Sequence, residues 1–212
     1  MARRVIVVGA GAAGLIAAGR AAECGAEALL LEKTDEAGKK ILISGKERCN
    51  VTNAAPIREF ITYYGSNGRF LTNAFHRFFR EDLLGLLSAY GVQTQTERGG
   101  RIFPTSGRAD DVRDALLCYV SDHGVRVRYR VAVERLNVQG GKITGVLLAD
   151  GESLAADAVI LATGGASWPG TGSTGDGYRM AQAAGHTIVP LRPSLVPLTV
   201  VERATAKALQ LG

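Results

Sequence analysis

Residues 5–14 read VIVVGAGAAG, and this stretch decides the fold of the chain. Its first four residues are apolar and β-branched, which is typical of a strand buried on both faces of a parallel sheet. The alanine-rich stretch from Leu15 to Cys24 predicts a helix that ends at Gly25. Leu29 to Leu31 predicts a second buried strand. Together these segments predict a βαβ unit of about thirty residues.

The three glycines between the first strand and the helix form a dinucleotide-binding fingerprint, Gly9-x-Gly11-x-x-Gly14. Gly9 permits the tight turn, Gly11 lets the backbone approach a pyrophosphate, and Gly14 lets helix and strand pack closely. The pyrophosphate is then expected at the positive N-terminal end of the helix. Glu32, which closes the second strand, is expected to accept hydrogen bonds from ribose hydroxyls. Its negative charge would repel a 2′-phosphate, so the pattern predicts FAD or NAD rather than NADP.

Composition excludes several classes of protein. The chain has 212 residues, 46% of them hydrophobic and 21% charged, so it can bury a sizeable core. The net charge of +5 comes mostly from the first half of the chain and is too diffuse for a nucleic-acid footprint, which predicts no nucleic-acid partner. Fifteen uncharged residues from Val5 to Gly19 are too few to span a bilayer as a helix, which predicts no membrane association. Three cysteines at unpatterned spacing predict reduced thiols and a cytoplasmic protein, and no cluster has the spacing of a metal site.

Hydrophobic periodicity predicts the remaining elements. Residues 33–69 are expected to be irregular, because they are rich in glycine and turn residues. Helices are predicted over 79–90, 112–124 and 177–184, and strands over 125–129, 131–136, 143–148 and 158–162. Asp110 or Asp111 is expected to cap the second of these helices, and Asp150-Gly151 to form the turn between the last two strands.

Two glycine-rich segments lie late in the chain, and the first of them favours FAD over NAD. Ala162-Thr163-Gly164-Gly165 ends a buried run and matches the Ala-Thr-Gly turn of flavoproteins, where the chain returns beside the first strand. Gly170-x-Gly172-x-x-Gly175 repeats the fingerprint spacing, but it follows a proline rather than a strand. We therefore interpret it as a loop that leads into a helix near Gly177, with N–H groups available to an anionic ligand.

The sequence resembles the BaiN-like, or aminoacetone oxidase, family of FAD-dependent oxidoreductases, within the glutathione-reductase-like class of folds. The resemblance is carried by the Ala162–Gly165 turn and by Gly38-Lys39-Lys40, Ser44-Gly45, Arg48-Cys49-Asn50-Val51-Thr52-Asn53, Phe103-Pro104, Gly172-Ser173-Thr174-Gly175-Asp176-Gly177 and Pro193-Ser194-Leu195-Val196-Pro197-Leu198. The run from Arg48 to Asn53 is the most specific of these. Glu47 departs from the pattern, which has glycine there.

The resemblance implies where FAD binds. Arg48, Cys49 and Asn50 are expected near the isoalloxazine, the backbone of Val133 near the adenine, and the loop 172–177 near the ring and ribityl chain. The residues expected to bind the cofactor are Gly9, Ala10, Gly11, Ala12, Ala13, Gly14, Glu32, Lys33, Lys39, Arg48, Cys49, Asn50, Val133, Ala162, Thr163, Gly164, Gly165, Gly172, Thr174, Gly175 and Asp176. No catalytic acid or base is assigned, because the flavin carries the chemistry.

The sequence therefore predicts an α/β fold: a Rossmann-like FAD/NAD(P)-binding domain of the glutathione-reductase type, with a parallel sheet, a smaller antiparallel β layer and a truncated C-terminus. Residues 1–190 are assigned to this domain and 191–212 to the start of an inserted second domain. The predicted activity is hydride transfer through the flavin to or from a small organic substrate, with NAD(P)H as a candidate co-substrate. Two alternatives stay open: a non-catalytic fragment or partner-binding module without cofactor, and an NAD-binding dehydrogenase domain.

Overall fold

A computed structural model of the chain describes residues 2–193. Met1 and residues 194–212 lie outside the described part, so most of the stretch assigned to a second domain, and most of the motif from Pro193 to Leu198, lies there too. The boundary at residue 190 stays a prediction.

The described residues form ten strands and seven α-helices, with one 3-10 helix of seven residues at Gly65–Leu71 and two of three residues each at Arg98–Gly100 and Pro169–Thr171. In chain order they are β1 (Arg4–Val8), α1 (Ala12–Glu23), β2 (Glu27–Leu31), α2 (Lys39–Ile43), β3 (Thr52–Asn53), α3 (Ile57–Thr62), α4 (Thr72–Arg77), α5 (Arg80–Ala89), β4 (Thr94–Thr96), β5 (Arg101–Pro104), α6 (Ala109–Asp122), β6 (Arg126–Arg128), β7 (Val133–Gln139), β8 (Lys142–Leu148), β9 (Ser153–Ala155), β10 (Ala158–Leu161) and α7 (Asp176–Ala183).

A parallel sheet with strand order β10-β1-β2-β6 organises the domain. Val5 of β1 lies opposite Ala158 of β10 on one side and opposite Ala28 of β2 on the other. The chain thus returns beside the first strand, as the Ala162–Gly165 turn predicted. Parallel pairing brings the carboxyl ends of these strands to one edge of the sheet, which is where ligands bind in open α/β sheets.

Both faces of β1 are buried. Val7 packs with Leu15 of α1, Leu30 of β2 and Leu116 of α6 in one apolar cluster. Its neighbours Ile6 and Val8 point to the opposite face and pack in a second cluster with β8 and α7. Successive side chains of a strand alternate between faces, so the unbroken apolar run is explained by cover on both sides.

Two antiparallel sheets accompany the parallel one. One has strand order β7-β8-β9, and its residues Val146 and Leu148 are buried against Ile6 and Val8. The other has strand order β3-β5-β4 and pairs Thr52 with Ile102. The predicted fold class, a Rossmann-type domain with a smaller antiparallel layer, is confirmed.

Three local predictions were wrong. Residues 33–69 are not irregular throughout, because they contain α2, β3 and α3, which are each too short to give a clear period. Arg108 is the N-cap residue of α6. Asp110 and Asp111 lie in the first turn of the helix, where their negative charges interact favourably with the positive end of the helix dipole. The turn at Asp150-Gly151 joins β8 to β9, since the three-residue strand β9 was not recognised.

The described residues contain no helix that is both long and apolar enough to cross a membrane. Cys24, Cys49 and Cys118 are free thiols.

Candidate functional site

A cavity of about 1080 Å³ opens at the carboxyl edge of the parallel sheet. It is lined by the fingerprint turn after β1, the segment after β2, the turn after β10 and the start of α7. Ser44, Cys49, Asn50 and Val51 of the following loop also line it, as do residues 131–134 before and within β7 and side chains of α2, α5 and α6. The size of the cavity suits a large organic cofactor.

Each fingerprint glycine has the geometry that its predicted role requires. Gly9 has φ +100°, and a Cβ there would lie 2.6 Å from the carbonyl oxygen of Ala162 in the neighbouring turn. A Cβ on Gly14 would lie 1.8 Å from the carbonyl oxygen of Gly9, so helix and turn touch through backbone alone. A Cβ on Gly11 would meet no atom within 4 Å, because that position faces the cavity. The open space at Gly11 fits the approach of a ligand.

The N-terminus of α1 presents unpaired backbone donors to this space. Gly11 is the N-cap residue with extended backbone, and no side chain caps the helix. The first turn of a helix carries N–H groups without intrahelical partners and a partial positive charge, which together bind phosphate groups. The turn and helix therefore fit a diphosphate.

Glu32 is fixed at the end of β2 by two backbone donors. Its Oε2 accepts a hydrogen bond of 2.8 Å from the N–H of Ala10, and its Oε1 accepts one of 2.8 Å from the N–H of Thr34. The carboxylate is thus held beside the fingerprint turn and lines the cavity. This is the position from which an acidic residue reaches the ribose of a bound dinucleotide.

The segment after β2 is joined across the cavity to the glycine loop 172–177. Lys33 Nζ donates to Thr174 Oγ1 at 2.7 Å and to Asp176 Oδ2 at 2.5 Å. Burial raises the pKa of Asp176, but hydrogen bonds from Lys33, Arg179 and Thr174 outweigh it and lower the pKa to about 2. Asp176 is therefore ionised at neutral pH, and its ion pair with Lys33 holds the two walls of the cavity together.

The loop predicted to border the flavin has an unusual backbone. Lys46, Glu47 and Cys49 all have positive φ, at +58°, +64° and +58°. Non-glycine residues rarely adopt this conformation, and its clustering is typical of functional sites. Cys49 is buried and lines the cavity, and burial raises the pKa of its thiol despite an opposing hydrogen bond from Ser44. A protonated, buried thiol fits a packing role.

Arg48 points elsewhere. Its guanidinium forms an ion pair with Glu97 and lies 4.4 Å from the centroid of the Phe103 ring. Arg48 is not among the residues that line the cavity. In this structure it anchors the loop to β5 and the turn before it.

Substituting Glu47 by glycine is expected to stabilise the protein. Glu47 is exposed, and its φ of +64° costs an L-residue about 1–2 kcal/mol, of which the greater flexibility of unfolded glycine cancels part. We expect a net gain of about 0.5–1 kcal/mol in the free energy of unfolding, measured by urea denaturation. Glu47→Ala keeps the strained backbone and loses the carboxylate, so it should give no gain. Equal stabilisation by both variants would show that the gain comes from loss of the Glu47 charge and not from relief of backbone strain.

The structure brings most of the predicted cofactor residues to one cavity. Sixteen of them line it: Gly9, Ala10, Gly11, Ala12, Ala13, Glu32, Lys33, Lys39, Cys49, Asn50, Val133, Ala162, Thr163, Gly164, Gly172 and Asp176. Five lie outside the lining: Gly14, Arg48, Gly165, Thr174 and Gly175. Of these five, Gly14 is packed against Gly9, while Gly165 accepts a hydrogen bond from the N–H of Gly175 and thereby shapes the loop.

Sequence reasoning missed several lining residues. Lys40, Ser44, Val51 and Ser173 all face the cavity and stand within the sequence motifs that carried the family resemblance. Their membership of those motifs was the available signal. Without a three-dimensional structure, nothing indicated which side chains of a motif face the ligand.

The fold, the fingerprint turn and the cavity define a dinucleotide-binding Rossmann domain, and FAD is the dinucleotide that the sequence predicted. The chain belongs to the HI0933-like family, whose Rossmann-domain model matches residues 3–210. This confirms the resemblance drawn from the motifs.

Two kinds of curated relative match nearly the whole chain. A 3-dehydro-bile acid delta(4,6)-reductase of Clostridium scindens is 37% identical over 207 residues, which are 97% of this chain and 49% of that protein. A ribosomal RNA dihydrouridine synthase of Escherichia coli is 32% identical over 197 residues, 92% of this chain and 48% of that protein. The chain thus spans about half the length of the curated relatives it matches. The second relative acts on RNA, so the prediction that nucleic acid is excluded as a partner is not supported.

Solved structures share the fold at lower identity. A flavocytochrome c3 fumarate reductase in an open conformation has a TM-score of 0.68 at 23% identity, covering 88% of this chain and 41% of that one. A 3-ketosteroid-delta4-(5alpha)-dehydrogenase of Rhodococcus jostii has a TM-score of 0.63 at 19% identity, covering 86% of this chain and 54% of that one.

Proposed function

We propose that this chain is the FAD-binding domain of an oxidoreductase that reduces a carbon–carbon double bond conjugated to a carbonyl group. The observation that carries the proposal is the cavity at the carboxyl ends of β1, β2 and β10, with an open backbone at Gly11 and a fixed carboxylate at Glu32. These features suit the diphosphate and the ribose of FAD, respectively.

The substrate class comes from the relatives. A 3-dehydro-bile acid delta(4,6)-reductase acts on double bonds conjugated to a ketone, and a dihydrouridine synthase saturates a ring double bond beside a carbonyl. The two substrates differ greatly in size, but the reacting group is the same kind of activated alkene. We therefore assign the reaction type to this chain and leave a small molecule and an RNA uridine as competing substrates.

Bound FAD would supply the chemistry of hydride transfer to the conjugated double bond, with NAD(P)H as the external source of the hydride. The protein's own residues bind and orient. The N-terminus of α1 would hold the diphosphate, and Glu32 would accept hydrogen bonds from ribose hydroxyls, while the turn Ala162–Gly164 forms a further wall of the cavity. Ser44, Cys49 and Asn50 line the cavity, and the family resemblance implies that the ring would lie beside Cys49 and Asn50.

Purified protein expressed from its complete reading frame tests the proposal. We expect a yellow protein that releases FAD, identified by mass, and that oxidises NADH or NADPH in the presence of a 3-keto-4-ene steroid or a uridine-containing RNA. Analysis of the product should show one saturated double bond per nucleotide oxidised. Release of NAD, or of no nucleotide, would instead favour the dehydrogenase or the non-catalytic alternative. Bound FAD without reduction of either alkene would overturn the assigned reaction.

A further inference from the structure

Four cationic side chains line the cavity, and three of them are already paired. Lys33 binds Asp176 at 2.5 Å, Lys39 binds Asp35 at 2.7 Å, and Arg179 forms an ion pair with Asp176. The fourth, Lys40, donates only to neutral acceptors, Ser173 Oγ at 2.6 Å and the carbonyl oxygen of Ser167 at 3.2 Å. Within residues 2–193, no carboxylate lies within salt-bridge distance of Lys40.

Lys40 extends from α2 to the turn after β10, which contacts the fingerprint turn. Lys40 belongs to the first turn of α2, and the residue that caps α2, Gly38, donates its N–H to the carbonyl oxygen of Ala10 at 2.9 Å. Its Nζ lies 3.9 Å from where a Cβ on Gly164 would be, in the turn after β10. That turn is itself in contact with Gly9. The ammonium group therefore lies at the turn after β10, and the helix that carries it is joined to the fingerprint turn through Gly38.

Ser173 holds the ammonium group in this place. It is the buried polar residue of the described chain, 5% exposed, and its hydroxyl accepts from Lys40. A hydroxyl can accept this hydrogen bond without neutralising the charge. An unneutralised cation in a cavity attracts an anionic ligand, and FAD carries its negative charge on the diphosphate.

We propose that Lys40, positioned by Ser173, binds a non-bridging oxygen of the FAD diphosphate opposite the N-terminus of α1. This inference rests on the proposed function, since it presumes that FAD occupies the cavity. It also reassigns a role: the sequence singled out Lys39 for the cofactor, whereas the structure pairs Lys39 with Asp35, which raises the pKa of Lys39. Of the two adjacent lysines, Lys40 is the one whose charge is not neutralised by a carboxylate within the described residues.

Because Lys39 and Lys40 are adjacent, their variants give a matched comparison. The apoprotein is titrated with FAD, and binding is monitored by the quenching of flavin fluorescence. Lys40→Met is expected to raise the Kd for FAD about 10- to 100-fold, the range for losing a hydrogen bond between charged groups. The loss should shrink at high salt, because screening weakens the charge in the wild type. Lys39→Met removes the same formal charge and should change the Kd less than about 3-fold on the same scale. Lys142→Met, on the distant strand β8, serves as the control for net charge.

Further variants and ligands show which part of FAD Lys40 contacts. Lys40→Arg should recover most of the affinity, and Ser173→Ala should give an intermediate loss. ADP, which carries the diphosphate without the flavin, should lose affinity for Lys40→Met as FAD does, whereas riboflavin should not. The reduction potential of bound FAD should stay at the wild-type value. Circular dichroism and thermal melting verify that each variant folds.

Different failures are distinguishable. A wild-type protein that binds no FAD overturns the proposed function and this inference with it. Tight binding by the wild type and equally tight binding by Lys40→Met overturns the inference alone. Riboflavin affinity or a reduction potential that changes as much as FAD affinity would place Lys40 at the ring and also overturn it.

Discussion

Replacing Gly14 with alanine is expected to lower the free energy of unfolding by about 3 kcal/mol and the thermal midpoint by about 6–12 °C. A Cβ at this position would lie 1.8 Å from the carbonyl oxygen of Gly9, so the helix must move away from the turn. A shift of the turn would cost much free energy, because the clashing atom belongs to the backbone and the turn continues from β1, which is buried on both faces. Differential scanning calorimetry of the protein without cofactor measures the change directly.

Gly85→Ala is the matched control, because it is the same substitution within a helix, α5. A Cβ on Gly85 would meet nothing within 4 Å. Alanine forms helix more readily than glycine, so this variant should be stabilised by about 0.5–1 kcal/mol. If Gly14→Ala melts as high as the wild type, the contact between α1 and the turn after β1 is looser than the structure shows.

Gly11→Val is expected to separate cofactor binding from folding. Valine suits the extended backbone of this N-cap position, with φ −77° and ψ −175°, and its side chain would extend into open space. The cost to stability is therefore limited to about 1 kcal/mol, the difference between glycine and valine as N-cap residues. That open space is where the diphosphate should meet the N–H groups of α1. Losing these charge-assisted hydrogen bonds should weaken FAD binding about 100-fold or more.

Isothermal titration with FAD, paired with thermal melting, measures both effects on one protein sample. Gly11→Ala should fall between the wild type and Gly11→Val, since it fills less of the space. A variant that binds FAD as the wild type does would show that the diphosphate does not approach Gly11. A variant that fails to fold would show that Gly11 is needed for the turn itself.

Local patterns made the centre of the fold predictable. The run from Val5 to Val8, the glycine spacing and the acidic residue after Leu31 each occupy one short stretch, and each reports a physical requirement of that stretch. Burial on both faces demands apolar side chains, and backbone contact at Gly14 excludes any side chain. The cofactor class follows, because these requirements are those of a dinucleotide site.

The unpredicted parts depend on partners far away in sequence. Strand β3 has two residues and exists through its pairing with β5, about fifty positions later, so no period in its own sequence could reveal it. Likewise, the direction of Arg48 is set by Glu97 and Phe103. Lys39 and Lys40 are neighbours on a helix, which turns their side chains about 100° apart. Sequence alone does not say which of them forms an ion pair with a carboxylate, as Lys39 does with Asp35.

The pairing of β1 with β10 has a consequence for biosynthesis. Arg4 donates its N–H to Asp157, and 153 positions separate the two residues. Such a non-local contact is slow to form, because the intervening chain must be ordered or looped out first. At about 5–20 residues per second, a ribosome needs about 8–30 s to make that stretch, during which one edge of β1 has no neighbour. The turn after β10 forms only when β10 pairs with β1. FAD can therefore stabilise the domain only late in folding, after this pairing has completed the cavity.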